Sequence, residues 1–265
     1  MEKFSLVQEA QTNNKEALVA SNQEMHDHIE AIVNTIDTQT IAEVASELFE
    51  KGHILDAVHR AVPIEQVIFL EHDIVDRAQY VNKKHENDSG QIRLNTQRLY
   101  NPDSPEKELF DVVRVFIHEQ IHAFSDEYTI KNISEEKKKR IIGFAEGIKD
   151  KTKNTPAEFS YIELNEGMTE LISDYIVKEY FKRTGDIPTN IVESLQKENA
   201  KQTYPQGRFY IEGIVSMLSE KYEVPEDTIF KALIRFYFGP EEEYDSFPEW
   251  LEKHEPLTAE SLKKR

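Results

Sequence analysis

Apolar side chains recur every three or four positions through much of this chain, a spacing that indicates amphipathic helices. One stripe begins at Ile29 and a second at Ile41, and Gly52 follows the second as a stop signal. From Leu257 onward the chain is short and charged, which predicts an exposed tail. The same helical period predicts three helices in the later half, over residues 190–201, 208–222 and 226–238.

Two other segments have the character of strands. Residues 67–70 form a short apolar run, and residues 91–96 alternate apolar and polar side chains. Together with the helices they predict an α+β fold that is mainly helical, with a small mixed sheet and a helical C-terminal half. We divide the chain into a helical N-terminal region, residues 1–62, and one compact domain, residues 63–265.

A helix predicted over residues 105–126 carries the most informative motif. It opens with Ser104 as N-cap and Pro105 in the first helical position. Within it, residues 118–122 read His-Glu-Gln-Ile-His. Side chains four apart on a helix share one face, so both imidazoles can bind one zinc ion with Glu119 beside it. This is the spacing found in zinc peptidases, and the alternative is two histidines held by hydrogen bonds in an apolar core.

The segment Leu-Asn-Glu-Gly-Met-Thr-Glu is the candidate source of a third ligand. Its Glu166 and Glu170 lie four residues apart beside an apolar stripe, where carboxylates are costly unless a cation accompanies them. Gly167 is unfavourable inside a helix, and a close approach of metal and substrate to the backbone would explain it. The alternative is a solvated pair of glutamates. A capping box at residues 155–158 and a stop at Gly185 predict the ends of this helix.

Together the two motifs resemble the gluzincin branch of the zincin metallopeptidases, over roughly residues 105–183. The resemblance implies a general base, Glu119, and a zincin-like fold with the sheet beside the motif helix. It also implies that Glu170 accepts a hydrogen bond from a ligand histidine and fixes its tautomer. The zinc ligands that it implies are His118, His122 and Glu166.

The resemblance also implies where substrate binds. In zincins an edge strand lies over the cleft and pairs with extended substrate. Residues 92–96 would be that strand here, which places Ile92 and Leu94 in the substrate-binding segment.

The chain departs from the resemblance in its spacing, because 43 residues separate His122 from Glu166. The insert at residues 134–145 predicts an extra helix. The G-x-M-E-N segment that binds a free amino terminus in zinc aminopeptidases is absent, which favours an endopeptidase over an exopeptidase. No third histidine follows at the metzincin spacing.

Peptide hydrolysis develops negative charge on the carbonyl oxygen, which a tyrosine or histidine donor can stabilise. Some zincins with a similar Asn-Glu-Gly-x-x-Glu helix carry a tyrosine just before the next helix. By that resemblance Tyr204 is the candidate donor and Tyr210 the second choice, although aromatic residues at helix starts also serve as core. Arg208 would bind a substrate carboxylate or pair with a nearby acid.

Composition limits the partners and the location. A net charge of −18 argues against binding to nucleic acid or to anionic membrane surfaces. The chain has no cysteine, which excludes disulfides and thiolate ligands. No Sec-type signal and no apolar run of about 18 residues are evident. We therefore expect a cytoplasmic protein, or one exported without a Sec-type signal, and leave its oligomeric state open.

The leading hypothesis is a zinc-dependent endopeptidase that hydrolyses a peptide or protein substrate, with Zn²⁺ as its cofactor. Glu119 would deprotonate a zinc-bound water and then protonate the leaving amine. The alternative is a helical binding or interaction protein without catalysis, either stapled by zinc or free of metal. A structural zinc has four protein ligands, whereas the sequence offers three clear ones, with Glu170 as a possible fourth.

Overall fold

The structure, a computed structural model, describes residues 21–50, 61–70, 77–81, 90–125, 129–132, 137–150, 158–238 and 246–263. Its helices are α1 (21–35), α2 (Thr38–Glu50), α3 (Thr96–Leu99), α4 (Pro105–Phe124), α5 (Ile162–Thr184), α6 (Thr189–Asn199), α7 (Pro205–Tyr222), α8 (Glu226–Phe238), α9 (Phe247–His254) and α10 (Pro256–Lys263). Its strands are β1 (Val67–Leu70), β2 (Ala78–Val81), β3 (Gln91–Asn95), β4 (Thr129–Asn132), β5 (Lys137–Ile142), β6 (Ala145–Asp150) and β7 (Glu158–Ser160).

The chain is mainly helical, with a small mixed sheet, as its sequence pattern predicts. The two N-terminal helices, the motif helix and the three later helices lie where the apolar stripes indicate, within a few residues. Both predicted strands are present as β1 and β3. Gly52, the predicted stop signal, lies outside the described residues. Within the described ranges, no helix is both long enough and apolar enough to cross a membrane.

The first of two compact units comprises the described residues within 1–37 and 62–116. Its sheet has the order β1–β3–β2, in which β3 pairs in parallel with β1 and antiparallel with β2. The prediction that β3 is an exposed edge strand is therefore wrong, because neighbours occupy both of its edges. Ile92 and Leu94 are fully buried, so their side chains serve this unit's core and are not available to bind substrate.

The second unit comprises the described residues within 38–61 and 117–265. Helix α5 is its centre: it packs against α2, α6 and α7 and buries residues along its whole length. The chain passes from the second unit to the first between residues 61 and 62, next to the predicted boundary, but each unit also includes a segment from the other side of that boundary. Helix α2 belongs to the second unit and residues before it to the first, and α4 continues from one unit into the other.

The described part of the insert between the two motifs is a sheet, so the prediction of an extra helix over residues 134–145 is wrong. Residues 134–136 lie outside the described residues. Strands β4 to β7 form an antiparallel sheet in chain order. The β5–β6 turn contains Gly143, whose φ of 54° is readily adopted by glycine. The next backbone N–H, that of Phe144, donates to Oδ1 of Asn165 at 2.9 Å. This contact with a residue 21 positions away fixes the turn, and helical periodicity cannot reveal it.

The start of α5 also differs from the prediction. Residues 158–160 are strand β7, which pairs with β6, so the capping-box signal does not begin a helix. Residues 155–157 lie outside the described residues. Helix α5 begins at Ile162 and ends, as predicted, at Gly185, which has a φ of 77°.

The C-terminal segment forms helix α10, so the prediction of an exposed tail from Leu257 onward is wrong. Ala259 and Leu262 are buried, whereas Leu257 is 83% exposed. Helix α10 packs against α9. The segment is short, but its apolar residues at positions 259 and 262 are one helical turn apart and share a face.

Candidate metal centre

Helices α4 and α5 bring three potential ligand atoms together in the second unit. Nε2 of His118 and Nε2 of His122 lie 3.1 Å apart, and Oε2 of Glu166 is 3.4 Å from each of them. The histidines share a helix face because they are four residues apart. Among the described residues, a second group of possible ligands occurs at His26, Asp27 and Glu30, but its two acids are exposed.

The separations of these three atoms fit a tetrahedral zinc ion. Two ligand atoms about 2.0–2.1 Å from zinc and at the tetrahedral angle are about 3.3 Å apart. The observed distances of 3.1, 3.4 and 3.4 Å bracket this value. Two imidazole nitrogens and one carboxylate oxygen are also the donor types of a zinc site that keeps one position open. The residues therefore fit a zinc ion.

Glu170 contacts His118 at the ring nitrogen that does not face the other ligand atoms. Its Oε1 lies 3.1 Å from Nδ1 of His118, and the carboxylate is fully buried. A proton on Nδ1, the ring nitrogen on the side of Glu170, leaves Nε2 to face the other two ligand atoms. Glu166 and Glu170 are therefore not a solvated pair, because each one contacts an imidazole.

The neighbouring charges in the cluster favour a protonated His118 and an ionised Glu166. Burial alone would lower the pKa of His118, but Glu166, Glu170 and Glu119 outweigh it and raise that pKa to about 10. Burial would likewise raise the pKa of Glu166, yet His122 and His118 hold it well below its usual range. Without a metal, His118 thus carries a proton that an ion such as zinc would displace.

Glu119 follows His118 directly and is 7% exposed. Its charge contributes to the raised pKa values of His118 and Tyr237, so the carboxylate lies within electrostatic reach of the cluster. A position close to the ligand atoms is what the motif predicts for this residue.

A buried hydroxyl network joins the two ligand helices, and sequence reasoning missed it. Tyr237 of α8 is fully buried, with its hydroxyl 2.6 Å from Oγ1 of Thr169 and 3.4 Å from Oγ of Ser125. Ser125 follows α4 and also donates to the backbone oxygen of His122. Thr169 lies three residues after Glu166. The sequence could have pointed to Thr169, because it lies one helical turn from the candidate ligand Glu166. Nothing in the local sequence distinguishes Tyr237 from the other tyrosines.

Close backbone contact between α5 and α7 explains Gly167. A Cβ atom on Gly167 would lie 2.2 Å from the backbone carbon of Gly207, and one on Gly207 would lie 2.2 Å from the backbone oxygen of Glu163. Neither position can accept a side chain unless the helices move apart. The expectation that Gly167 makes room for metal and substrate is therefore wrong, because the room is taken by another helix.

Tyr204 lies beside the cluster. Its ring is parallel to that of His118, with an interplanar angle of 7° and centroids 6.1 Å apart, and it is 46% exposed. Its φ of 43° and ψ of 47° place it in the left-handed region directly before Pro205. This conformation is unfavourable for a non-glycine residue, and more so before proline, and costs about 1–3 kcal/mol.

The remaining predicted residues lie elsewhere or have other partners. Arg208 is buried and pairs with Asp174 of α5, so the structure agrees with the ion-pair alternative and not with a substrate contact. Tyr210 lines an apolar cavity of about 210 Å³ with residues of α7 and α10, including Met217 and Leu262. Asp174 was not foreseen, although it lies one turn after Glu170 on the same helix face.

Comparison with protein-family models, with curated proteins and with solved structures finds no match for this chain. Its function is therefore inferred from the geometry of the cluster.

Proposed function

We propose that the protein is a zinc-dependent endopeptidase of the zincin type. The observation that carries this proposal is the triangle of His118 Nε2, His122 Nε2 and Glu166 Oε2, whose edges of 3.1–3.4 Å suit zinc. Zinc held there would supply a Lewis acid that polarises a carbonyl and eases the loss of a proton from water. The substrate class is a peptide or protein.

The chain's own residues have separate parts in the proposed reaction. Glu119, nearly buried beside the ligands, accepts a proton from the attacking water and returns it to the leaving amine. The Tyr204 hydroxyl donates a hydrogen bond to the carbonyl oxygen as negative charge develops there. Glu170 orients His118 through Nδ1.

The ligand count favours a catalytic over a structural site. Among the described residues, the group that includes His118 contains three residues with converging ligand atoms. Glu170, which could have been a fourth, is directed at the opposite ring nitrogen of His118. A structural zinc is enclosed by four protein ligands, whereas three leave a position for water or substrate.

Zinc content provides the first test. We expect about one zinc per wild-type chain by elemental analysis, and strong loss in His122→Ala and Glu166→Ala because each removes a ligand. Wild-type protein that takes up no zinc, even when the metal is supplied after purification without chelators, would overturn the proposal.

Catalysis is tested with Glu119→Gln. This change removes the proton acceptor but no zinc ligand. Zinc content should therefore persist, while the rate of peptide hydrolysis should fall by about 10²–10⁴-fold or more. Cleavage of a diverse peptide mixture, followed by mass spectrometry, measures the loss. Glu106→Gln, an exposed glutamate of the same helix, should retain both properties. Undiminished hydrolysis by Glu119→Gln would exclude Glu119 as the base.

A further inference from the structure

We infer that the buried ion pair between Arg208 and Asp174 is a positioning device that holds Tyr204 against His118. The effect of this ion pair on catalysis rests on the proposed function, whereas its effect on the position of Tyr204 does not. The two residues are positioning residues, since neither is among the converging ligands. Three features support this role: the geometry of the pair, the close contact of two helices and a strained residue.

The pair connects α7 to α5 at a defined register. Arg208 is 6% exposed, and its two terminal nitrogens both contact Oδ2 of Asp174, Nη1 at 2.7 Å. Asp174 lies four residues after Glu170, and Arg208 lies four residues after Tyr204. Each partner is therefore one helical turn from a residue that contacts His118.

The glycine contact brings α7 close enough for the pair to act. Because Gly167 and Gly207 lack side chains, the first turn of α7 lies directly on the backbone of α5. Arg208 immediately follows Gly207. The ion pair then limits how far α7 slides along or rotates about this contact, since both terminal nitrogens of the planar guanidinium converge on one carboxylate oxygen.

Tyr204 shows that the tertiary structure imposes the position. Left-handed φ and ψ angles are strained for tyrosine and disfavoured before Pro205, so the local sequence does not select them. Such strain persists only where the surroundings over-determine it. Here the first turn of α7 is fixed on α5 while the tyrosine ring is parallel to His118. Release of the pair would let Tyr204 relax away from His118.

The test uses nuclear magnetic resonance on the full-length, metal-free protein with labelled histidine. A parallel tyrosine ring displaces the ring-proton resonances of His118, and Tyr204→Leu should remove that displacement. We expect Asp174→Asn to move the same resonances in the same direction. The double variant Asp174→Asn/Tyr204→Leu should match Tyr204→Leu alone, because both changes act on one contact.

Two further variants keep the test decisive. Glu193→Gln breaks an exposed ion pair with Lys178 of α5 and should leave the His118 resonances unchanged. Arg208→Lys retains the charge but not the two-nitrogen contact, so it supplies a milder test should Asp174→Asn unfold. Circular dichroism and the resonances of the other histidines report folding.

Unchanged His118 resonances in folded Asp174→Asn and Arg208→Lys would overturn the inference, as would unchanged resonances in Tyr204→Leu. The measurement involves no hydrolysis, so an inactive protein leaves the inference standing and identifies the proposed function as the part that failed. In an active protein, Asp174→Asn should lower kcat without a comparable rise in KM, because Tyr204 is assigned to the transition state.

Discussion

Glu170 illustrates how much a single buried residue contributes at this site. The carboxylate is fully buried and lies 3.1 Å from Nδ1 of His118. Such a partner holds the imidazole ring in place and directs Nε2 towards the metal position. It also raises the basicity of Nε2, which makes that nitrogen a stronger metal ligand. The sequence shows only a glutamate four residues after Glu166, so its function depends on which side of His118 it meets.

Replacement of Glu170 should therefore weaken zinc binding without removing a ligand. We expect Glu170→Gln to lower zinc affinity by about 10–100-fold, the usual effect of losing the group that orients a ligand histidine. Competition with a chromophoric chelator measures it. The control is Glu179→Gln on the same helix, which alters an exposed pair with Lys182. Equal affinities in wild type and Glu170→Gln would contradict the assigned role.

The pKa of His118 predicts how stability depends on pH when no metal is bound. Folding raises this pKa from 6.5 to about 10, so the folded chain holds a proton that the unfolded chain releases. The stabilisation is complete below pH 6.5 and is lost as the pH rises towards 10. The stability that depends on the low pKa of Glu166 is lost on the acid side instead, as the pH falls below 4.5.

Urea unfolding of chelator-treated protein measures this dependence. Between pH 6.5 and about 9.5, wild type should lose stability relative to His118→Gln, which has no such proton. Tyrosine ionisation, which begins below pH 10, affects both proteins alike and cancels in the comparison. Parallel curves for the two proteins would show that His118 is not the titrating group.

At the scale of elements, the contact between α5 and α7 depends on two glycines. A methyl group at Gly167 or Gly207 would lie 2.2 Å from backbone atoms of the facing helix, and backbone cannot move aside as a flexible side chain can. The contact therefore requires glycine from both helices.

Alanine should have opposite effects on stability at two glycines of α7, Gly207 and Gly213. Gly207→Ala forces the helices apart and should destabilise the protein by about 1–3 kcal/mol, and Gly167→Ala should do the same. Among the described residues, nothing lies within 4 Å of the point that a methyl group on Gly213 would occupy, so Gly213→Ala should stabilise by up to about 1 kcal/mol through helix propensity. Denaturant midpoints measure both; destabilisation by Gly213→Ala equal to that by Gly207→Ala would contradict a specific contact.

At the scale of the whole molecule, the candidate ligands all belong to the second compact unit. A bound ion stabilises the cooperative unit that contains its site, by about 2.7 kcal/mol when free zinc is at 100 times Kd. Stabilisation by zinc should therefore be distributed unevenly along the chain.

Hydrogen exchange with and without zinc tests that distribution. Amides of α5 and α7 should gain protection, whereas those of β1 to β3 in the first unit should gain little. Glu166→Ala, which lacks a ligand, should abolish the gain. Equal gains in β1–β3 and α5 would contradict the expectation and would show that the two units open together.

Local patterns in the sequence determined most of the helices and the pairing of candidate ligands within each helix. Helical periodicity depends on neighbours three and four residues away, so the bounds of α4 and α6 to α8 are close to those predicted. For the same reason His118 and His122 share a face, and Glu170 follows Glu166 by one turn. The glycine at the end of α5 is likewise a local signal.

Only the tertiary structure decided what depends on distant partners. The position of β3 between two strands, the hairpin of β5 and β6, and the partner of Arg208 each depend on residues far along the chain. A glycine inside a helix shows that something approaches closely, but not whether it is a metal or another helix. The convergence of Glu166 with the two histidines also depends on the tertiary structure, because the 3.4 Å separations join atoms on two different helices, α4 and α5.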